Sequence, residues 1–126
     1  MFNFREFEAG PDPFGRKFQV LLKWLQTAIS IRHSDTVDVK YILTAERGER
    51  MEKTIALPHA ELLRVSRQSN RPMDDAWCGR IAALHLLRLV STGEDMEKDL
   101  VTPLPAEIEA YAAEIAAREK AELQAR

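Results

Sequence analysis

The sequence predicts an α+β fold: an antiparallel β-meander of three to four strands, followed by three helices packed on one face. Three stretches predict it. Residues 36–57 alternate apolar and polar positions, with β-branched and aromatic residues, around a glycine tip. Residues 72–92 are apolar on nearly every side when projected at about 100° per residue. Residues 105–122 are rich in alanine and glutamate, which favour helix.

Taken in order, residues 2–9 place Phe2 and Phe4 in period two, the pattern of a short edge strand or extended arm. Residues 10–15 are dense turn chemistry, because Pro11 and Pro13 fix φ while Gly10 and Gly15 permit positive φ. Phe14 is expected to fold back there as a lid on the core edge, since phenylalanine is usually buried. Residues 17–32 satisfy two patterns. As a helix, Gln19, Lys23, Gln26, Thr27 and Ser30 share one face. As a strand, Phe18, Val20, Leu22 and Trp24 point inward until a bulge hands the inward set to Leu25, Ile29 and Ile31. The strand is preferred, because the next segment needs a partner and is joined by a short polar link, His33-Ser34-Asp35.

Residues 36–44 form the firmest strand, with Val37, Val39, Tyr41 and Leu43 facing inward. Arg47-Gly48-Glu49 is the hairpin tip, and 50–57 return with Met51, Lys53, Ile55 and Leu57 on one side. Pro58 ends the sheet and opens a helix over 58–69 that turns Ala60, Leu62 and Leu63 inward. The central helix spans 73–91, with Asp74 and Asp75 in its first turn and Gly93 as its stop. Trp77, Ile81 and Leu84 lie on one side, Ala83, Leu87 and Val90 on another, and Leu86 and Leu89 fill most of the rest. A helix apolar all round must be covered on more than one side. The sheet is one cover; the other is the last helix or a second copy, which makes a twofold homodimer the expected assembly.

Residues 93–104 read as an acidic connector anchored by Leu100 and Val101. The last helix carries a narrow stripe of Ile108, Tyr111, Ala112 and Ile115. Beyond Ala117 only Leu123 continues it, so the tail is expected to project. The whole chain, 1–126, is expected to form one domain: an arm or edge strand over 1–16, a sheet over 17–57 and a helical part over 58–126.

A net charge of −2 supplies no bulk positive field for nucleic acid or an anionic membrane. The single cysteine, Cys78, leaves no intrachain disulfide to form. No window reaches the ~18 consecutive apolar residues of a membrane span, and MFNFREFEAG lacks the apolar run of a signal peptide. A soluble, cytoplasmic protein without membrane contact is the expectation.

Chemistry is sparse. His33 and Asp35, with Asp38, could bind a metal or exchange protons, but one H-x-D lacks the three or four convergent ligands of a metal site. The better reading is a turn built by Ser34 and Asp35. Cys78 and His85 stand ~10 Å apart along one helix, beyond hydrogen-bond reach; Cys78 reads as a small buried hydrophobe and His85 as a core histidine with one satisfied nitrogen. Arg80 and Arg88 project about 80° apart on an apolar helix. Pairing with carboxylates of the acidic connector, or of another subunit, is favoured over a shared anion cleft, because unpaired buried charge is costly. Arg64, Arg67 and Arg71 give the preceding helix a basic side. Gly-rich phosphate loops, H-E-x-x-H, G-x-S-x-G and paired C-x-x-C are absent from the sequence, so no catalytic residue, metal or cofactor is implied.

The leading functional expectation is a small non-catalytic protein-interaction or regulatory domain, acting as a homo-oligomer through its sheet edge or projecting helix. The alternative is a small-molecule or anion-binding protein, an enzyme included. Its pocket would lie between sheet and central helix, where Trp24, His33, Asp35, Tyr41, Arg80 and Arg88 could converge. A nucleic-acid-binding regulator is the least favoured.

Overall fold

A computed structural model describes residues 3–28 and 35–124. The chain runs β1 (Glu6–Ala9), β2 (Phe18–Ala28), β3 (Thr36–Ala45), β4 (Arg50–Pro58), α1 (His59–Gln68), α2 (Asp75–Thr92), β5 (Leu100–Val101) and α3 (Pro105–Gln124). The five strands lie in sequence order. β1 to β4 form an antiparallel meander, and β5 closes the edge parallel to β4. The fold is therefore α+β, a meander followed by helices. Phe2, Ile29, Ile31 and the His33-Ser34 turn fall outside the described residues.

Alternation holds along β3 and along β4 up to Ile55, after which Ala56 is buried as well; Val39, Tyr41, Leu43, Ile55 and Leu57 are all completely buried beneath the helices. β2 differs in one respect. The register steps from Leu22 opposite Tyr41 to Trp24 opposite Lys40, so the extra residue of the bulge is Lys23. The bulge falls before Trp24 rather than after it, and Trp24 turns to the outer face with its ring 5.7 Å from Lys40 Nζ. Leu25 then stands opposite the buried Val39 and takes over the inward set. β5 is an addition that periodicity could not reveal in two residues. Val101 is buried opposite Ile55, and the Thr54 N–H donates to the Asp99 carbonyl at 2.7 Å.

On α1 the buried residues are Leu62, Val65 and Ser66, while Ala60 is exposed; the inward face lies further along the helix than the sequence suggests. α2 starts at Asp75, with Asp74 outside it as the N-cap accepting the Trp77 N–H at 2.8 Å. It ends at Gly93, whose φ of 75° is the left-handed cap and whose N–H donates to Leu89. The helix packs on β1, β3 and β4 and on α3. Trp77, Ile81, Leu86 and Val90 are thereby sealed. Cover on both sides comes from this chain itself, so α2 leaves no surplus apolar face that demands a second copy.

The N-terminal arm joins the same core. Phe4 is buried against α2, and a Cβ on Gly79 would sit 2.4 Å from its ring carbons. The Gly79 carbonyl also accepts from the Tyr41 hydroxyl at 3.2 Å. Gly79→Ala is expected to cost about 1–3 kcal/mol through forced repacking. Urea unfolding would measure it, and loss of amide protection in β1 would locate it.

Phe14 is not a lid: it is 84% exposed. The Asp12 carboxylate accepts the N–H groups of Phe14 and Arg16 and the Arg16 Nε, which clamps the loop with Phe14 outward. Phe18 fills the core edge instead. Burial raises the Asp12 pKa, but these donors together hold it below its ordinary value.

Candidate functional site

Of the six residues that sequence reading gathers into one pocket, the five described ones do not pair up there. Trp24 is on the outer sheet face and Tyr41 on the inner one. The space between sheet and α2 is filled by Tyr41, Ile55, Trp77 and Ile81, each essentially without exposure. Asp35 is exposed just before β3, where its carbonyl accepts the His59 N–H. His33 is outside the described residues. Arg80 and Arg88 do pair internally, but with carboxylates of α3 rather than of the connector. Arg80 lies 3.8 Å from Glu119, which Arg71 also grips through both guanidinium nitrogens. Arg88 holds Glu107 at 2.8 Å. On the basic side of α1, Arg64 is taken up by Glu61 and by Glu109 of α3.

The Arg88–Glu107 pair opens onto a different site. His85 and Arg88 are one turn apart on α2, and Glu107 and Tyr111 are one turn apart on α3, so each pair shares a helix face. The two helices pack together and bring the four side chains into one cluster. His85 Nδ1 lies 2.7 Å from the Tyr111 hydroxyl and 4.0 Å from Glu107. A cleft of about 300 Å³ borders this cluster, lined by His85, Arg88, Leu89, Glu94, Asp95, Thr102, Leu104 and Glu107. The connector thus supplies half the wall.

The His85–Tyr111 hydrogen bond accounts for one of the two ring nitrogens. His85 Nδ1 and the Tyr111 hydroxyl share this bond, and which of the two donates follows from the imidazole tautomer. His85 is 4% exposed, and its Nε2 has no hydrogen-bond partner among the described residues. A buried polar nitrogen without a partner costs about 1–3 kcal/mol. The chain matches no known protein family, no curated protein and no solved structure.

The chemistry on offer is recognition. Burial lowers the His85 pKa and Arg88 adds to that, against the opposing carboxylates Glu107, Asp95 and Glu94; the ring is neutral at neutral pH. Arg88 remains a cation, its proton held by Tyr111 and Glu107. Cys78 is buried with its thiol pushed up to about 12, so it offers no thiolate. Among the described residues no cluster of His, Cys, Asp and Glu could hold a metal ion, and no helix is long and apolar enough to cross a membrane.

The lowered His85 pKa has a consequence for stability. Below its ordinary value of 6.5 the unfolded chain takes up a proton that the folded chain resists, so folding weakens as pH falls. The loss levels off once the folded imidazole also protonates. His85→Asn leaves an amide oxygen for Tyr111 but cannot titrate. Its unfolding free energy is expected to fall less than that of the unsubstituted protein between about pH 7 and pH 5. Parallel pH profiles from urea melts would show instead that His85 is not responsible.

Proposed function

We propose that this chain is a non-catalytic binding domain that takes a small oxygen-bearing ligand in the cleft between α2, the 93–104 connector and the start of α3. The observation that carries the reading is the buried His85 Nε2, without a hydrogen-bond partner among the described residues, in a residue that lines a cleft also bordered by Arg88. With its hydrogen on Nε2, the imidazole would join the guanidinium in suiting a carboxylate or phosphate oxygen. The cleft volume sits at the lower end of small-molecule sites, which run from about 300 to 1,000 Å³.

A thermal-shift screen of small carboxylates, phosphates and amides tests it. A true ligand at a hundred times its Kd adds about 2.7 kcal/mol of stability, and His85→Asn is expected to abolish that gain. No shift across the panel at millimolar concentration would reject the reading.

A second reading, a regulatory domain that pairs with its own copy, is favoured by the outer sheet face. Leu21 is 52% exposed there beside Ile42, with Trp24 nearby and Lys23, Lys40 and Glu52 among them. A face with apolar residues and both charge signs is self-complementary under a twofold axis. The two lysines hold the Glu52 carboxyl down to about 2, Lys23 first. Light scattering decides it: a monomer at every concentration up to hundreds of micromolar removes the homodimer. A cytoplasmic setting belongs to both readings, supported by the lone buried thiol.

A further inference from the structure

We infer that the open edge of β1 takes an extended segment of another protein, one that alternates Lys or Arg with apolar residues, as a sixth strand of the sheet. β1 and the connector beside β5 lie at opposite edges of that sheet, so this surface is independent of the His85 cleft.

The strand order leaves β1 outermost, and the register says which of its backbone groups face away from the sheet. The Leu22 N–H donates to the Arg5 carbonyl at 2.8 Å, and the pairing continues from Glu6 opposite Leu21 to Ala9 opposite Phe18. In an antiparallel ladder, residues that bond across the pair alternate with residues whose backbone groups point the other way. Arg5, Phe7 and Ala9 therefore bond to β2, while the backbones of Glu6 and Glu8 turn outward. The Glu6 N–H is taken up by the Asn3 carbonyl at 3.3 Å. The Glu6 carbonyl and both backbone groups of Glu8 have no backbone partner among the described residues, which is the template that strand addition uses.

The side chains choose the occupant. Glu6 and Glu8 are exposed, and because Glu6 stands opposite Leu21, both point to the outer face. Lys17 is 3.8 Å from Glu8 in an exposed pair, too loose to cancel that charge. A second copy's β1, laid antiparallel about a twofold axis, would set glutamate opposite glutamate whether the axis passed Phe7 or Glu8. Like charges directly opposite repel, whereas Lys or Arg at those positions is attracted. The residue between them falls opposite Phe7 on the inner face, where the Phe7 ring meets Tyr41 edge-on at 5.9 Å. A β-branched apolar side chain packs well beside an aromatic one there. The edge thus asks for a basic–apolar–basic run.

The test is an amide-resolved NMR titration of the full chain with end-blocked heptapeptides. One alternates lysine and valine, and one alternates glutamate and valine. A third repeats the first with the backbone nitrogens of its lysines methylated, which blocks strand pairing and keeps the charge. The lysine–valine peptide is expected to shift residues 5–9, to slow exchange of the Glu8 N–H by about tenfold at saturation, and to bind at least about tenfold more tightly than the other two. Glu6→Lys combined with Glu8→Lys, both at exposed positions, is expected to reverse the preference towards the glutamate–valine peptide. Equal binding of the methylated peptide would reduce the contact to charge attraction and overturn strand addition. Equal binding of the glutamate–valine peptide would overturn the basic partner. No binding by any peptide at millimolar concentration also overturns the inference, and protection of the Glu8 N–H that grows with protein concentration would then give the edge to a second copy.

Discussion

Leu86→Ala is expected to lower the unfolding free energy by about 2–5 kcal/mol, among the largest losses any single truncation should produce in this chain. The cost of a cavity depends on whether its walls can close. Leu86 has no exposure, and α2 is held between the sheet on one side and α3 on the other. Neither wall can relax inward without breaking its own packing, so the upper half of that range is expected. Urea unfolding at constant m-value measures it. Leu123→Ala, on the exposed end of α3, should stay within about 0.5 kcal/mol of zero. A loss below about 1 kcal/mol at Leu86 would mean that the middle layer collapses freely, and the three-layer account of α2 would be wrong.

That same helix shows how sequence patterning reports architecture here. A rod apolar all round states that it must be wrapped, and α2 is wrapped; but the pattern is silent on what does the wrapping. The narrow stripe of Ile108, Tyr111, Ala112 and Ile115 is the complementary signal, and all four residues are buried. β3 and β4 were legible because one face is sealed and the other open, which forces period two. β2 was harder. Its bulge could be inferred from the change of phase, but not its position, and a one-residue difference moved Trp24 to the opposite face. That alone dissolves the pocket imagined with Tyr41.

The site was less legible than the fold for a physical reason. His85 looks like any polar break in an apolar helix, and its meaning depends on Tyr111, 26 positions away. The one-turn spacings of His85 with Arg88 and of Glu107 with Tyr111 were visible. That these two faces meet is a tertiary fact. Arg80 and Arg88 were expected to find carboxylates and did, yet the partners are Glu119 and Glu107 of α3. Charge demand could be read from the chain; the helix that answers it could not.

Lys53→Met is the second substitution with a large expected effect, and it acts on the cleft without lining it. Lys53 occupies an inward position of β4 opposite Tyr41 and is 3% exposed. Its ammonium donates to the carbonyls of Met96 and Lys98, pinning the acidic connector to the sheet. Burial lowers its pKa, and Asp99 and Glu97 oppose that shift. Methionine keeps the stem's volume but offers no donor, so a loss of about 1.5–3 kcal/mol is expected, the worth of a charged hydrogen bond. The larger consequence is positional. The Thr54 N–H bond to Asp99 and the pairing of β5 with β4 engage the same connector that Lys53 holds. Glu94, Asp95, Thr102 and Leu104 of the cleft wall belong to that same segment. Amide exchange at Thr54 should therefore accelerate in Lys53→Met, and any ligand of the cleft should bind more weakly although its contacts are unchanged. If Thr54 stays as protected as before, the connector is held by its strand pairing alone, and the ammonium of Lys53 has no part in shaping the cleft.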